Sequence, residues 1–184
     1  MRYTEMLRQD HEDIQTVLAI LAEMSNRLEE DADVPPDDLA TVLRYLDVFV
    51  TQSHNAKEEE ALYPALAEVG LPPDSGPIAL MMAEHQMVQN FLGGLHEAIA
   101  RYKPGDSDDG HMIAEYARNY ALLFSKHIEQ EDQVIYPVAD QRLPAEEQDQ
   151  LAKRFEEIER QTIGAGGHDR WHRMAHDLAQ NYLN

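Results

Sequence analysis

Two stretches of this chain are copies of one another. His54–Pro64 reads HNAKEEEALYP and His127–Pro137 reads HIEQEDQVIYP, so both follow H-x-x-x-E-[ED]-x-x-[LI]-Y-P at an offset of 73 residues (54 to 127). The segments ahead of them match as well. DHEDIQTVLAIL from Asp10 aligns with EHQMVQNFLGGL from Glu84, pairing His11 with His85 and Leu18 with Leu92. The chain is therefore two related units, and a doubled unit of this kind builds a pseudo-symmetric site between its halves.

Each unit reads as a pair of helices. The turn clusters DADVPPDD (31–38), GLPPDSGP (70–77) and KPGDSDDG (103–110) cut the chain into segments whose only internal breakers are Pro64 and Gly93-Gly94. Apolar residues within them recur at steps of three and four. The stripes are Leu7, Ile14, Leu18, Leu21 and Leu28; Leu39, Leu43, Leu46, Val50 and Ala61; Ile78, Met81, Val88, Leu92, Leu95 and Ile99; and Ile113, Tyr116, Tyr120, Leu123, Val134 and Val138. Four such faces joined by short loops predict an all-α, up-down-up-down four-helix bundle over residues 1–143. Leu151, Phe155 and Ile158 start a C-terminal helical extension over 144–184. Pro64 and Pro137 are expected to bend or end their helices.

Every stripe is apolar except for one histidine: His11, His54, His85 and His127. In the second and fourth a glutamate follows one turn on, Glu58 and Glu131. On a helix, i and i+4 share a face. One such His–Glu pair is ordinarily a surface hydrogen bond, and one histidine on an apolar stripe is ordinarily a satisfied core residue. Six of these groups buried together without partners would cost several kcal/mol. A shared cation satisfies them all. Two histidines per half suit one first-row metal each, with the glutamates as bridges. This donor set favours iron, with zinc, manganese or copper as alternatives. Each glutamate has an acidic neighbour, Glu59 and Asp132. At about 100° per residue, i+4 falls about 40° from the histidine and i+5 about 140° away, so Glu58 and Glu131 are the expected ligands.

Composition narrows the rest. Fifteen Lys and Arg against 35 Asp and Glu give a formal charge of −20, which excludes nucleic acid and anionic membrane as natural partners. The absence of cysteine excludes disulfides, thiolate zinc sites and iron–sulfur clusters. MRYTEMLRQDHED lacks the apolar core of a signal peptide, and no apolar run approaches a membrane span, so cytoplasm is the expected location.

With these residues in hand, the chain resembles the hemerythrin-like (HHE cation-binding) family. His11, His54/Glu58, His85 and His127/Glu131 meet its H…H-x-x-x-E…H…H-x-x-x-E pattern over roughly residues 5–140. The resemblance implies a non-haem di-iron centre inside the bundle, bridged by carboxylates and an oxo or hydroxo group. It implies O2, hydrogen peroxide or NO as small ligands, in a monomer or homodimer. Oxygen-carrying members have H-x-x-x-H on the third helix, where this chain has Gln89. They also use H-x-x-x-x-D on the fourth, which Asp132 would mimic. With four histidines, both metals keep an open position, and peroxide decomposition becomes an expectation in place of simple oxygen carriage. The alternative is an iron, oxygen or redox sensor, or an iron-centre repair protein, without turnover of its own. A purely structural metal bundle is a third reading.

The remaining candidates have plainer expected roles. Tyr63 and Tyr136 read as core aromatics, and Tyr120 as packing or a donor to a bound oxygen species. Met81, Met82 and Met87 read as core filler, and His96 and His111 as surface residues. His168, His172 and His176 share a helix face, yet Trp171, Ala175, Leu178 and Tyr182 define the packed stripe there. A lid over the bundle, or a contact with another subunit, is the expected use.

Overall fold

The computed structural model describes residues 2–183, and among them six helices and no strand occur. Helix α1 is Tyr3–Glu29. Helix α2 spans residues 36–68: it opens as Pro36–Tyr45, widens into π turns at Leu46–Asn55 and Glu58–Leu62, and finishes as Tyr63–Glu68. Helix α3 is Gly76–Arg101. Helix α4 spans residues 107–142, with a π turn at Glu131–Ile135 between Ser107–Gln130 and Tyr136–Arg142. Helices α5, Ala145–Thr162, and α6, Gly167–Tyr182, follow. No helix among the described residues is long and apolar enough to cross a membrane.

The loops do what their composition predicts. After α1, Asp31 takes φ 57 and Ala32 N–H donates to the Arg27 carbonyl at 2.8 Å, a left-handed stop that reverses the chain. Asp106 caps α4 by accepting from Asp109 N–H at 3.2 Å. Pro36 sits in the first turn of α2, where its missing N–H costs nothing. The Gly93-Gly94 pair does not break α3. Instead, a side chain at Gly94 would overlap the Tyr116 ring of α4, so the glycine lets the two helices close up.

Helices α1 to α4 form the bundle, with α1 against α4, α4 against α3 and α3 against α2. Helix α5 lies against α1 and α2, and α6 lies along α1. The core comes in two apolar clusters. The larger holds Ile14, Leu18, Phe49, Val88, Leu92, Tyr120 and Phe124, joined by Trp171 of α6. The smaller holds Tyr3, Leu7, Leu62, Tyr63, Ile78, Tyr136 and Phe155. On each helix the ligand candidates fall where one cluster gives way to the other, with Ile128 of the larger cluster just past His127 the one overlap, so the polar groups form a layer enclosed on both sides by hydrocarbon.

Three expectations need correction. Pro64 and Pro137 do not end their helices, which run on to Glu68 and Arg142. The reason lies in the π turns just ahead. Tyr63 N–H donates to the Glu58 carbonyl and Tyr136 N–H to the Glu131 carbonyl, five residues back. The extra residue in the turn makes room for a ring that would otherwise press on the carbonyl four residues before it. The same insertion shifts the register. Past Glu131 the buried residues are Ile135 and Ala139, whereas Val134 is 51% exposed and Val138 only half-buried. Last, Met81 is core, but Met82 and Met87 face outward.

Candidate metal centre

The structure brings all six predicted ligands together. One donor atom from each of His11, His54, Glu58 and Glu131 lies within 4.8 Å of the others, and the same holds for Glu58, His85, His127 and Glu131. Both glutamates belong to both groups. Their position at the head of the π turns is what aims them inward: a turn with one extra residue rotates the residues after it while leaving the carboxylate on the histidine's face.

Each histidine points Nε2 into the site and holds a carboxylate with Nδ1. His11 Nδ1 lies 3.2 Å from Asp132, His54 Nδ1 3.2 Å from Asp10, His85 Nδ1 2.6 Å from Glu59 and His127 Nδ1 2.9 Å from Glu84. An ionised carboxylate only accepts, so each Nδ1 carries a hydrogen and each Nε2 is left facing inward, for a metal or, in its absence, a second proton. This is the backing that metal-binding imidazoles receive. The pairing obeys the repeat. Asp10 and Glu84 precede His11 and His85 in sequence yet serve His54 and His127. Glu59 and Asp132 follow the ligand glutamates and serve His85 and His11.

Two phenols complete the layer by crossing it. Tyr63 Oη donates to Glu131 Oε1 at 2.8 Å, and Tyr136 Oη donates to Glu58 Oε1 at 2.5 Å. Burial, reinforced by Glu131 and Glu58, pushes both phenols well above their ordinary range, so they stay protonated donors. These tyrosines thus do more than fill space, which is all their sequence positions implied. Tyr120 packs on Phe124, ring centroids 5.8 Å apart, in the larger apolar cluster.

The residues fit a cation by three tests. His85 Nε2 and His127 Nε2 face one another at 3.0 Å, two lone pairs that repel unless something positive lies between them. His54 Nε2 is buried without a hydrogen-bond partner, which is rare in native interiors, and Glu58 Oε2 and Glu131 Oε2 meet only imidazole nitrogens, at 3.3–3.7 Å. The third test is electrostatic. Burial opposes charge on His11, yet Asp132 and Glu131 push its imidazole up to about 9. Glu58 and Glu59 likewise overcome burial to push His85 up to about 9, and Glu131 and Glu84 push His127 up to about 10. Glu131 resists burial in turn, with His127 and His11 holding it well below the carboxylate range. The layer calls for positive charge, which protons supply in the absence of metal.

Several residues around this layer carry no signal in the sequence beyond their type. Lys57 of α2 is fully buried. Its Nζ donates to Asp10 Oδ2 at 2.8 Å and to Glu159 Oε1 of α5 at 2.6 Å. Burial opposes its charge, but Asp10 and Glu159 raise its pKa. His168 of α6 sets Nε2 3.3 Å from Asp10 Oδ1, and His172 Nδ1 lies 2.6 Å from Asp13 Oδ1. His176 is exposed. The three tail histidines therefore share no cluster, and the first two dock the extension on α1. On the surface, His96 pairs with Asp47 and His111 with Asp31. Gln89, which stands where the oxygen carriers have histidine, donates to Thr51 Oγ1 at 2.9 Å. Asp10 and Glu84 were findable: an acid precedes the histidine in both copies of the repeat.

Fold and site together define a helical-bundle protein with a buried metal-binding layer of histidine and glutamate. The hemerythrin HHE cation-binding domain model matches residues 2–139, and the chain belongs to that family. An uncharacterized protein of Mycobacterium bovis and two of Mycobacterium tuberculosis are each 24% identical to it over 163 residues. That match covers 89% of this chain but only 63% of theirs. No solved structure matches the chain.

Proposed function

We propose that this chain is a cytoplasmic non-haem di-iron protein that binds O2, hydrogen peroxide or NO at a carboxylate-bridged centre. His11 and His54 hold one iron, His85 and His127 the other, and Glu58 and Glu131 reach both. One observation carries this reading: each glutamate lies against both histidine pairs. Glu131 sets Oε2 3.3 Å from His11 Nε2 and Oε1 3.3 Å from His127 Nε2. Glu58 sets Oε2 3.7 Å from His54 Nε2 and 3.4 Å from His85 Nε2. A site for one structural ion has no use for two carboxylates shared in this way. Imidazole with carboxylate is a donor set that suits iron.

Bound iron supplies redox chemistry toward small oxygen and nitrogen species. The chain's own residues fix where that chemistry happens. Four carboxylates lock the imidazole tautomers, and two phenols hold the glutamates at Oε1 while leaving Oε2 free. The two apolar clusters limit water. Gln89 is committed to Thr51, which leaves the space beside His85 to a small ligand. With only four histidines to hold two irons, bound iron would keep room for peroxide, and its decomposition is the activity this donor set would support.

The test is metal content and the visible spectrum of protein purified in air, followed by peroxide addition with oxygen release monitored. About two irons per chain, a near-ultraviolet band and prompt oxygen evolution support the full reading. Two irons without turnover move it to the carrier or sensor form. No iron, or a single zinc, overturns it. Undiminished peroxide turnover in His54→Ala and Glu131→Ala overturns the enzymatic part.

A further inference from the structure

The two halves of the site match residue for residue, yet they are not covered alike. On the α1–α2 side, Asp10 backs His54 and is itself gripped by Lys57 from α2 and approached by His168 from α6. Lys57 is tied in turn to Glu159 of α5. The other end of this half is closed by Arg8, whose guanidinium lies 3.3 Å from Asp132 and stands over the Tyr136 ring at 5.6 Å. In the α3–α4 half the repeat supplies Glu84 for Asp10, but Gln130 stands at the position of Lys57. Among the described residues, Glu84 and Glu59 pair with their histidines, and no hydrogen bond or ion pair from α5 or α6 joins either of them. Instead, a cavity of about 240 Å³ opens there, lined by Thr51, Asn55, Glu59, Met82, His85 and Gln89. Asn55 Oδ1 is buried there without a partner.

Resting on the metal reading above, we propose that the C-terminal helices make the two metal positions inequivalent. Lys57, Glu159 and His168 are positioning residues that immobilise Asp10 and, through it, His54. The ion on His11 and His54 is the slowly exchanging one. The ion on His85 and His127 exchanges through the cavity and meets the incoming small ligand. The physical basis is access and order. An ion leaving His54 must displace an imidazole whose backing carboxylate is held by Lys57 of α2 and His168 of α6, with Glu159 of α5 fixing the lysine in turn. An ion leaving His85 departs toward Glu59, whose side chain is 39% exposed, and an existing cavity.

The experiment loads the full chain with Co2+ and follows transfer to excess EDTA by the loss of visible absorption. Two ions per chain leaving in two phases, about tenfold or more apart, is the expected result. His127→Ala keeps only the slow ion, and His54→Ala keeps only the fast one. Lys57→Met, and separately Glu159→Gln combined with His168→Ala, speed the slow phase about tenfold and leave the fast phase unchanged. Met82→Trp, at the exposed cavity mouth, slows the fast phase alone. A merely structural role for Lys57 would speed both phases together, which overturns the proposal, as does a single phase in the unaltered protein. Should Lys57→Met not fold, the Glu159/His168 and Met82 variants, all at partly exposed positions, decide the matter. Failure to load two ions at all sinks the metal reading instead, so the two failures are distinguishable.

Discussion

The half of the metal layer facing α5 and the half facing the cavity hold the same kinds of ligand, two histidines backed by carboxylates and two shared glutamates, and they differ most in what lies outside them. His54 with Asp10 repeats as His127 with Glu84, and His11 with Asp132 repeats as His85 with Glu59. Beyond that ring the symmetry stops. One half ends in a buried lysine, a glutamate and a histidine contributed by the extension, and the other ends in a cavity. Duplication supplies a symmetric centre, and unduplicated sequence then gives its halves different access.

The largest effect comes from the groups that the halves share. Glu58→Ala or Glu131→Ala removes a donor from both metal positions, so metal content falls to near zero, while His54→Ala and His127→Ala each leave about one ion. A ligand present at about a thousand times its Kd stabilises by about 4 kcal/mol. The glutamate variants and chelated protein therefore unfold at similar, much lower denaturant concentrations than loaded protein. Retention of one ion by Glu58→Ala would show that the halves are independent sites.

Next in size are two phenylalanines, one behind each half. Phe155 of α5 packs edge-on to Tyr3, ring centroids 6.2 Å apart, and Phe124 stacks on His127 at 5.2 Å. Both are fully buried, and truncation to alanine costs about 3–5 kcal/mol. Phe155→Ala additionally loosens the cover over the His54 half, whereas Phe124→Ala disturbs the open half. Denaturant melts paired with metal retention separate the two.

The backing carboxylates come third. Asp10→Asn and Glu84→Gln each weaken metal binding by about 10–100-fold, since each leaves a ligand imidazole without its anion. Asp10→Asn lowers the stability of the metal-free chain more than Glu84→Gln does, because Asp10 serves Lys57 and His168 as well as His54, whereas Glu84 serves His127 alone. Equal stability losses from the two variants would erase the distinction between the halves. The corresponding pairs on His11 and His85 end in the partly exposed Asp132 and Glu59, where solvent replaces part of what a substitution removes.

How much of this was legible in the sequence differs by layer. The ligands were, because helical spacing and the repeat both mark them: a histidine breaks each apolar stripe and a glutamate sits one turn on. The backing carboxylates were half legible. Their acidity recurs in both copies, but each serves a histidine on another helix, and that depends on helix rotation, which periodicity does not encode. Lys57 was invisible, since a lysine before three glutamates reads as a solvated charge until α5 is seen lying over it. The π turns were hidden for a related reason. Pro64 and Pro137 announce a disturbance, but a break and a one-residue insertion look alike in sequence, and only the insertion moves burial from Val134 to Ile135.

Protons probe the layer more gently. In metal-free protein the folded-state values of His11, His85 and His127 lie at about 9, 9 and 10, above the ordinary value of 6.5. A raised folded pKa stabilises fully below the unfolded value and loses that contribution as pH rises through the folded one. Metal-free protein therefore melts at falling temperature between about pH 7 and pH 10. Loaded protein stays nearly level over this range, because its metal-bound imidazoles carry no extra proton and those of the unfolded chain have lost theirs by about pH 7. Parallel curves for the two forms would mean that metal and protons do not compete for one set of nitrogens.

The smallest effect tests the symmetric part of the comparison. Tyr63 and Tyr136 are related by the repeat, both are buried, and each donates one hydrogen bond to the opposite glutamate. Replacing either by phenylalanine keeps the ring and its packing, so the loss is one hydrogen bond to a charged acceptor, about 1.5–3 kcal/mol at most. A bound metal compensates part of it by taking more of the carboxylate charge. The two variants should then match each other in stability and in metal content, whatever the difference in exchange rates between the halves. Unequal losses would place the asymmetry inside the ligand layer itself, and the cover supplied by α5 and α6 would no longer be its cause.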